Sequence, residues 1–312
     1  MRYFLNPFPA ARSLGWCSGA LLALAVFLAG CASVPVEVTP PPVPVEVPVA
    51  AKRLPRVGLA LGGGAARGFA HVGVLQVLEE AGIRPDLVVG TSAGSLVASL
   101  YASGKTGAQM QQVAETMEEA AFTDWTLPIF SRGMLRGDAL ARYVNSLVAS
   151  RTIEAMPLPL GIVATDLNSG EAVLFRRGDT GTAVRASSAV PAVFQPVKIA
   201  GHEYVDGGLV SPVPVRFAHQ MGAELVIAVD ISSAPEGNLA NDTMQILLQT
   251  FAIMGKSINT YELRDADVVV RPSLLGVKSA DFGARRRAIE AGRAAMLQAL
   301  PALRLAMLAK SR

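Results

Sequence analysis

Asp86-Leu-Val-Val-Gly-Thr-Ser-Ala-Gly94 is the stretch from which the rest of the chain is read. Leu87, Val88 and Val89 form a short apolar run of the kind that becomes a buried strand. Gly90-Thr91-Ser92-Ala93-Gly94 follows with Gly-x-Ser-x-Gly spacing, and the small-residue segment 95–103 predicts a helix. Strand, sharp turn and helix in that order make a nucleophile elbow. Such a turn forces its serine into a strained backbone conformation, so the flanking Gly90 and Gly94 must carry no side chain that would collide. The Ser92 hydroxyl is then expected to stand exposed above the sheet. It would sit at a helix N-terminus, whose partial positive charge favours a developing anion.

Working upstream, Val57–Leu61 reads as another strand and leads into Gly62-Gly63-Gly64-Ala65-Ala66-Arg67-Gly68, which opens a helix over 66–81. Three readings compete for this loop. Dinucleotide binding would use Gly62, Gly64 and Gly68, but the spacing is one residue too long for Gly-x-Gly-x-x-Gly. The acidic residue wanted about 20 positions on is also misplaced, since Glu79 and Glu80 lie inside the helix and Asp86 before the elbow. A plain tight turn is the second reading. The third is an oxyanion hole, in which backbone N–H groups of Gly62, Gly63 and Gly64 meet the negative oxygen of a tetrahedral intermediate, each donor contributing about 3 kcal/mol. Beside a serine elbow on the neighbouring strand, the third reading is preferred.

A serine nucleophile needs a base. The chain has three histidines: His71, His202 and His219. A triad in the α/β-hydrolase order would formally be Ser92, Asp166 and either His202 or His219. The other candidate is Asp206, which ends a short strand and precedes Gly207 and Gly208, residues that clear space beside it. His71 has the character of a packing residue, His202 of a hairpin tip and His219 of a surface helix position. Arg67 reads equally as a headgroup contact or a brace for the glycine loop. Ser187 and Ser188 read as braces of the Asp206 region. No metal-ligand spacing is present.

The remainder alternates strand and helix, which predicts an α/β domain. Helices are expected over 109–120, 138–149, 180–187, 213–221, 242–262 and 284–300, that over 242–262 long and amphipathic, and the last with Ile289, Met296 and Leu300 facing inward and Pro301 kinking or restarting it. Strands are expected over 160–164, 172–175, 225–230 and 268–271, with a short hairpin over 198–205 around Gly201. About 257 residues from Arg56 onward suffice for one large domain with a full core.

Gly62-Gly63-Gly64 with Arg67 and Gly68, then Gly90-Thr91-Ser92-Ala93-Gly94, then Asp206-Gly207-Gly208 resemble the signature of the patatin-like phospholipases. Segment 185–194 and the helix after Asp281-Phe282 are also similar to bacterial members. The resemblance runs from about Val57 to Gln298. It implies a three-layer α/β/α fold with a mainly parallel central sheet. It implies a Ser92–Asp206 dyad in place of a triad, with oxyanion N–H groups from Gly63 and Gly64. The glycine loop carries one more alanine before Arg67 than the plant members do.

The amino-terminal segment lies outside that resemblance. Arg2 and Arg12 precede an uncharged, mostly apolar run over 13–30, the layout of a signal peptide. Leu28-Ala29-Gly30-Cys31 resembles a bacterial lipobox, which implies cleavage before Cys31 and a lipid on its thiol. Cys17 would leave with the signal, so the mature chain would have no free thiol. Residues 34–55 hold seven prolines in 22 positions, a semi-rigid spacer reaching roughly 60–70 Å at about 3.1 Å per residue. The organisation expected is a signal peptide over 1–30, a lipidated cysteine and linker over 31–55, and a catalytic domain over 56–312. Ala32 in place of aspartate points to the outer membrane of a bacterial cell envelope.

Removing the signal leaves 26 basic residues against 25 acidic ones, a balance that argues against nucleic-acid binding. The expected function is a serine acyl hydrolase that takes membrane lipid or a lipid ester, a phospholipase A or esterase working through an acyl-enzyme and needing no cofactor. The alternatives are a triad esterase, a nucleotide-binding module on the glycine loop, and a degenerate scaffold. The sequence carries no reading of oligomeric state.

Overall fold

A computed structural model of the protein describes residues 53–117, 124, 132–233, 241–278 and 280–312. Cys31, the apolar amino-terminal run and all but the end of the proline-rich segment lie outside the described residues. So do the last residues of the helix expected over 109–120. In chain order the elements are β1 (Val57–Leu61), α1 (Phe69–Glu80), β2 (Leu87–Thr91), α2 (Ala93–Ala102), α3 (Gly107–Thr116), β3 (Gly133–Leu135), α4 (Asp138–Leu147), β4 (Leu160–Asp166) and β5 (Ala172–Phe175). There follow α5 (Thr180–Ser187), β6 (Ala192–Phe194), β7 (Val197–Ile199), β8 (His202–Asp206), α6 (Val215–Gln220), β9 (Leu225–Val229), α7 (Thr243–Glu262), β10 (Val268–Val270) and α8 (Arg285–Ala309).

The main sheet runs β10-β9-β1-β2-β4 with every neighbouring pair parallel, then finishes in antiparallel strands β5, β8 and β7. The parallel strands are apolar at nearly every position because both faces are covered. Leu59, Leu61, Ile227 and Ile162 face one layer, packed with α1, α3, α4 and α8. Ala60, Val89, Val163 and Ala228 face the other, under Val215, Phe217 and Ala218 of α6. This is the three-layer α/β/α arrangement with a mainly parallel sheet. On the first face α1 and α8 cross so closely that a Cβ on Gly292 would stand 1.9 Å from the Ala70 carbonyl oxygen.

One feature of the register sets up the site. Thr91, the last residue of β2, pairs with Val163 of β4, whereas Asp206, the last residue of β8, pairs with the next residue, Ala164. The opposite edge of β4 at these positions is filled by β5. Strands β2 and β8 therefore lie on the same edge of β4 and run toward each other, their carboxyl ends meeting within one residue step, about 3.3 Å.

Three features differ from the sequence reading. The parallel pair β3–β6 lies outside the main sheet and was not expected; each strand is only three residues long and, as Gly-Met-Leu and Ala-Val-Phe, offers no polar–apolar alternation in sequence. Pro301 sits inside a continuous α8. The carbonyl it deprives of a donor belongs to Leu297, an exposed residue that water can reach. Helix α7 reverses ordinary amphipathicity: its buried residues are Gly255, Asn259 and Glu262, while Ile246, Ile253 and Met254 are exposed.

Candidate active site

Ser92 is half-buried and stands between β2 and α2 with φ 52° and ψ −124°. A residue with a Cβ rarely adopts this backbone, and it persists here because its surroundings leave no room for another. A Cβ on Gly90 would come within 2.4 Å of the Gly94 carbonyl oxygen, and one on Gly94 within 2.1 Å of the Leu61 carbonyl oxygen. Gly68 is pressed against Ala93, where a Cβ would lie 3.0 Å from the alanine methyl. Ser187 secures the turn from the side: its Oγ accepts from Ser92 N at 2.8 Å and donates to the Val163 carbonyl at 2.6 Å. It thus fills the break in pairing where β2 gives way to β8. Ser187, expected to cap or brace the Asp206 region, bonds the serine itself as well as the Val163 carbonyl against which Gly207 packs. Thr91 Oγ1 donates to the Ser211 carbonyl at 2.9 Å and fixes the other flank.

Asp206 closes β8 opposite the elbow and is 6% exposed. Its Oδ1 accepts from Gly208 N at 2.6 Å. The two glycines make room for the chain itself. A Cβ on Gly207 would strike the Val163 carbonyl oxygen at 2.2 Å, and one on Gly208 would sit 2.9 Å from Asp206 Oδ1. With Oδ1 tied down, Oδ2 is left buried without a formed hydrogen bond. Burial pushes the carboxyl up to about 6, while the Ser92 hydroxyl and the Gly208 amide draw it back down. The hydroxyl is therefore close enough to act on the carboxylate without being locked to it, as in many unliganded sites.

The glycine loop revises the expected donors. Gly62 N–H is bonded to the Val229 carbonyl at 3.1 Å and Gly63 N–H to the Pro212 carbonyl at 3.0 Å. Neither is available to an oxyanion. Gly64 and Ala65 show no acceptor for their N–H groups among the described residues, and Ala65 takes a left-handed φ of 50°. These two amides open the short 3-10 turn Ala65–Gly68 that leads into α1. Gly63 instead serves by closeness, since a Cβ there would lie 3.1 Å from Ser92 Cβ.

Two basic side chains hold this loop from behind. Arg67 is buried; its Nε donates to the Val277 carbonyl at 3.0 Å, and its Nη2 bonds Ser233 Oγ. Burial lowers its pKa, and its partners make it a brace rather than a surface contact. His71 is fully buried, with Nε2 2.8 Å from the Gly62 carbonyl oxygen. Burial lowers it to about 4, so it is neutral and Nε2–H is the donor.

The other two histidines stand away from Ser92. His202 Nδ1 is 2.8 Å from Asp166 Oδ2, which reproduces two members of the alternative triad. Yet His202 precedes Asp206 by four residues on one strand, roughly 13 Å. His219 Nε2 is bonded to the Asp265 carbonyl at 2.9 Å and Nδ1 to that of Ala223 at 3.2 Å, at the foot of the parallel strands. Ser92 lies at their opposite, carboxyl ends. The geometry thus brings together Ser92, Asp206, Gly64 and Ala65, and leaves the triad unassembled.

From Ser92 an apolar cavity of about 190 Å³ extends along α2. Ala93, Leu96, Val97 and Leu100 form one wall at helical spacing, and Val72, Met110, Val113, Leu140 and Phe282 are among the residues lining the rest. Leu100 lies about 12 Å along the helix from Ser92 at 1.5 Å per residue.

The Patatin family model, described as patatin-like phospholipase, matches residues 59–219, just over half of the chain. An NTE family protein of Mycobacterium tuberculosis is 36% identical over 197 residues, which cover 63% of this chain and 54% of that one. Patatin-like phospholipase domain-containing protein 6 of Homo sapiens is 33% identical over 231 residues, 72% of this chain and 16% of that one. The chain spans about half the length of the mycobacterial relative. The crystal structure of VipD from Legionella pneumophila superposes with a TM-score of 0.55 at 16% identity, covering 79% of this chain and 67% of VipD, a likeness of fold alone. The matched region contains most of β1, the glycine loop, the elbow and Asp206, and on it the chain belongs to the patatin-like phospholipase family.

Proposed function

We propose that the protein is a lipid acyl hydrolase that cleaves carboxylic esters through a Ser92–Asp206 dyad. The observation that carries this reading is the apolar cavity running along α2 from the strained, half-buried Ser92, with buried Asp206 beside it. Ser92 Oγ attacks the ester carbonyl while Asp206 takes its proton. The tetrahedral oxyanion is met by Gly64 and Ala65 N–H and by the positive end of α2. The alcohol leaves with the proton from Asp206, and the acyl group stays on Ser92. Water, deprotonated by Asp206, then attacks the acyl-enzyme, and Asp206 returns the proton to Ser92 Oγ as the acid is released. The dinucleotide reading has less support, since two of its glycine amides are already bonded and the cavity beside the loop is lined by hydrocarbon.

Acyl-chain length tests the reading. Leu100→Phe places bulk at the far end of the cavity, where each excluded methylene forfeits about 0.8 kcal/mol. Turnover of a dodecanoyl p-nitrophenyl ester is expected to fall about tenfold or more, with the butanoyl ester changed less than about twofold. Equal effects on both esters would remove the cavity from substrate binding.

We also propose that the mature protein is anchored in the cell envelope by a lipid on Cys31. Leu-Ala-Gly-Cys at the end of the apolar run, directly before the proline-rich spacer, supports this. Mass spectrometry of the protein from membranes should show an acylated amino-terminal Cys31, and Cys31→Ala should accumulate unprocessed. A bare Cys31 thiol in the mature chain would exclude the anchor.

A further inference from the structure

Helix α7 carries its polar residues inward and its apolar ones outward. Asn259 Nδ2 donates to Ser232 Oγ at 2.9 Å, and Glu262 accepts from Ser211 Oγ at 2.8 Å. On the opposite side Ile246, Ile253, Met254 and Tyr261 recur at i, i+7, i+8 and i+15, one face of a helix, and are 56%, 51%, 45% and 68% exposed. No residue from 243 to 254 is buried, so about 18 Å of helix lacks a buried face at 1.5 Å per residue. No helix among the described residues is long and apolar enough to cross a membrane.

The attachment points of α7 lie at the candidate active site. Ser211, held by Glu262, takes the hydrogen bond from Thr91 next to Ser92. Pro212, packed near Gly255, takes the hydrogen bond from Gly63. Ser232, held by Asn259, follows Ile231, which packs against Gly64. The helix is thus tied to both loops that carry the proposed chemistry. Its exposed residues include no acid: Glu262 is buried, and Asp242 caps the N-terminus. Lys256 lies on its flank, and Arg264 stacks on Tyr261 at 5.0 Å. The nearest following acids are Asp265 and Asp267, beside the foot of β10, where Asp267 is paired with Lys310.

We propose that the outer face of α7 is an interfacial docking surface for an anionic phospholipid bilayer. This rests on the lipid hydrolase reading for its purpose and for the hydrolysis arm of its test, but not for the fluorescence arm. Isoleucine, methionine and tyrosine would enter the boundary between headgroups and acyl chains, while Lys256 and Arg264 meet phosphates. An apolar stripe with Lys256 and Arg264 beside it, and with exposed acids only beyond its two ends at Asp242 and Asp265, complements such a surface. Docking there would bring the site tied to α7 to the bilayer surface from which an ester must be drawn.

The test uses the full mature chain. Ile253→Cys labelled with an environment-sensitive nitrobenzoxadiazole is mixed with vesicles of phosphatidylglycerol and phosphatidylcholine, and wild-type protein carried through the labelling sets the background. The emission should shift to the blue, more weakly with phosphatidylcholine alone and at high salt. A probe at Leu297→Cys, exposed on α8, should not move. Ile246→Glu combined with Ile253→Glu should lower hydrolysis of vesicle phospholipid about tenfold or more and change that of a soluble butanoyl ester less than about twofold. A probe indifferent to vesicles overturns the proposal, as does equal loss on both substrates. Light scattering showing a dimer that the double variant dissociates, with the probe following protein concentration, would assign the face to a second copy. A blue shift without any ester hydrolysis by the wild type would sink the hydrolase reading and leave the docking surface standing.

Discussion

Ser92→Ala is expected to lower ester hydrolysis by on the order of 10⁴-fold while leaving the melting curve nearly unchanged. Without the hydroxyl no acyl-enzyme can form, and the remaining donors can only polarise the ester for attack by water. The fold should tolerate the change because the elbow is held by groups other than the hydroxyl. Ser92 N stays bonded to Ser187 Oγ, and Ser95 N still reaches the Ser92 carbonyl at 2.8 Å. Fluorophosphonate labelling should disappear with the activity. Wild-type protein that takes no label and turns over no ester would mean that the scaffold is degenerate. Undiminished turnover by folded Ser92→Ala would remove Ser92 from the chemistry.

Asp206→Asn should have a comparable effect on turnover and the opposite effect on stability. The asparagine cannot accept the serine proton, so a loss of about a thousandfold or more is expected. The folded carboxyl titrates at about 6, against an ordinary 3.8, because burial disfavours its charge. Below pH 3.8 the group is protonated in folded and unfolded chains alike and imposes no penalty. Between there and pH 6 the unfolded chain ionises first, and native stability drains away. Above that range the buried charge costs about 3 kcal/mol, a little over two pH units at 1.36 kcal/mol each. Asparagine escapes this cost, so the variant should melt higher than wild type at pH 8 and the difference should close toward pH 4. Wild-type activity should fall about tenfold per pH unit below about 6, as the base takes up its proton. A flat rate between pH 5 and 8, or an active Asp206→Asn, would count against the dyad. A thousandfold loss at His202→Ala or His219→Ala would restore a triad.

These expectations join residues that the sequence reveals unequally. Strand β1, strand β5 and helix α5 were legible to the residue, because each is bounded by glycine, proline or a capping aspartate. The elbow was legible for a similar reason: its backbone demands glycine at Gly90 and Gly94, so geometry leaves a mark in composition. Asp206-Gly207-Gly208 was legible as a pattern, though its glycines serve the packing against Val163 and the seating of the carboxylate.

What only the tertiary structure decided are the pairings between distant segments. That β2 and β8 share one edge of β4 and meet at Val163 and Ala164 depends on register between segments over a hundred residues apart, and register leaves no local signal. The same holds for the amides of Gly62 and Gly63, whose acceptors are Val229 and Pro212. An N–H in a glycine loop looks available until the carbonyls that claim it are in place. Helix α7 makes the point at larger scale. Its spacing showed an apolar face and a polar one, but periodicity is blind to which face turns inward. Here the hydrogen bonds of Asn259 and Glu262 drew the polar side in and left the isoleucines outside.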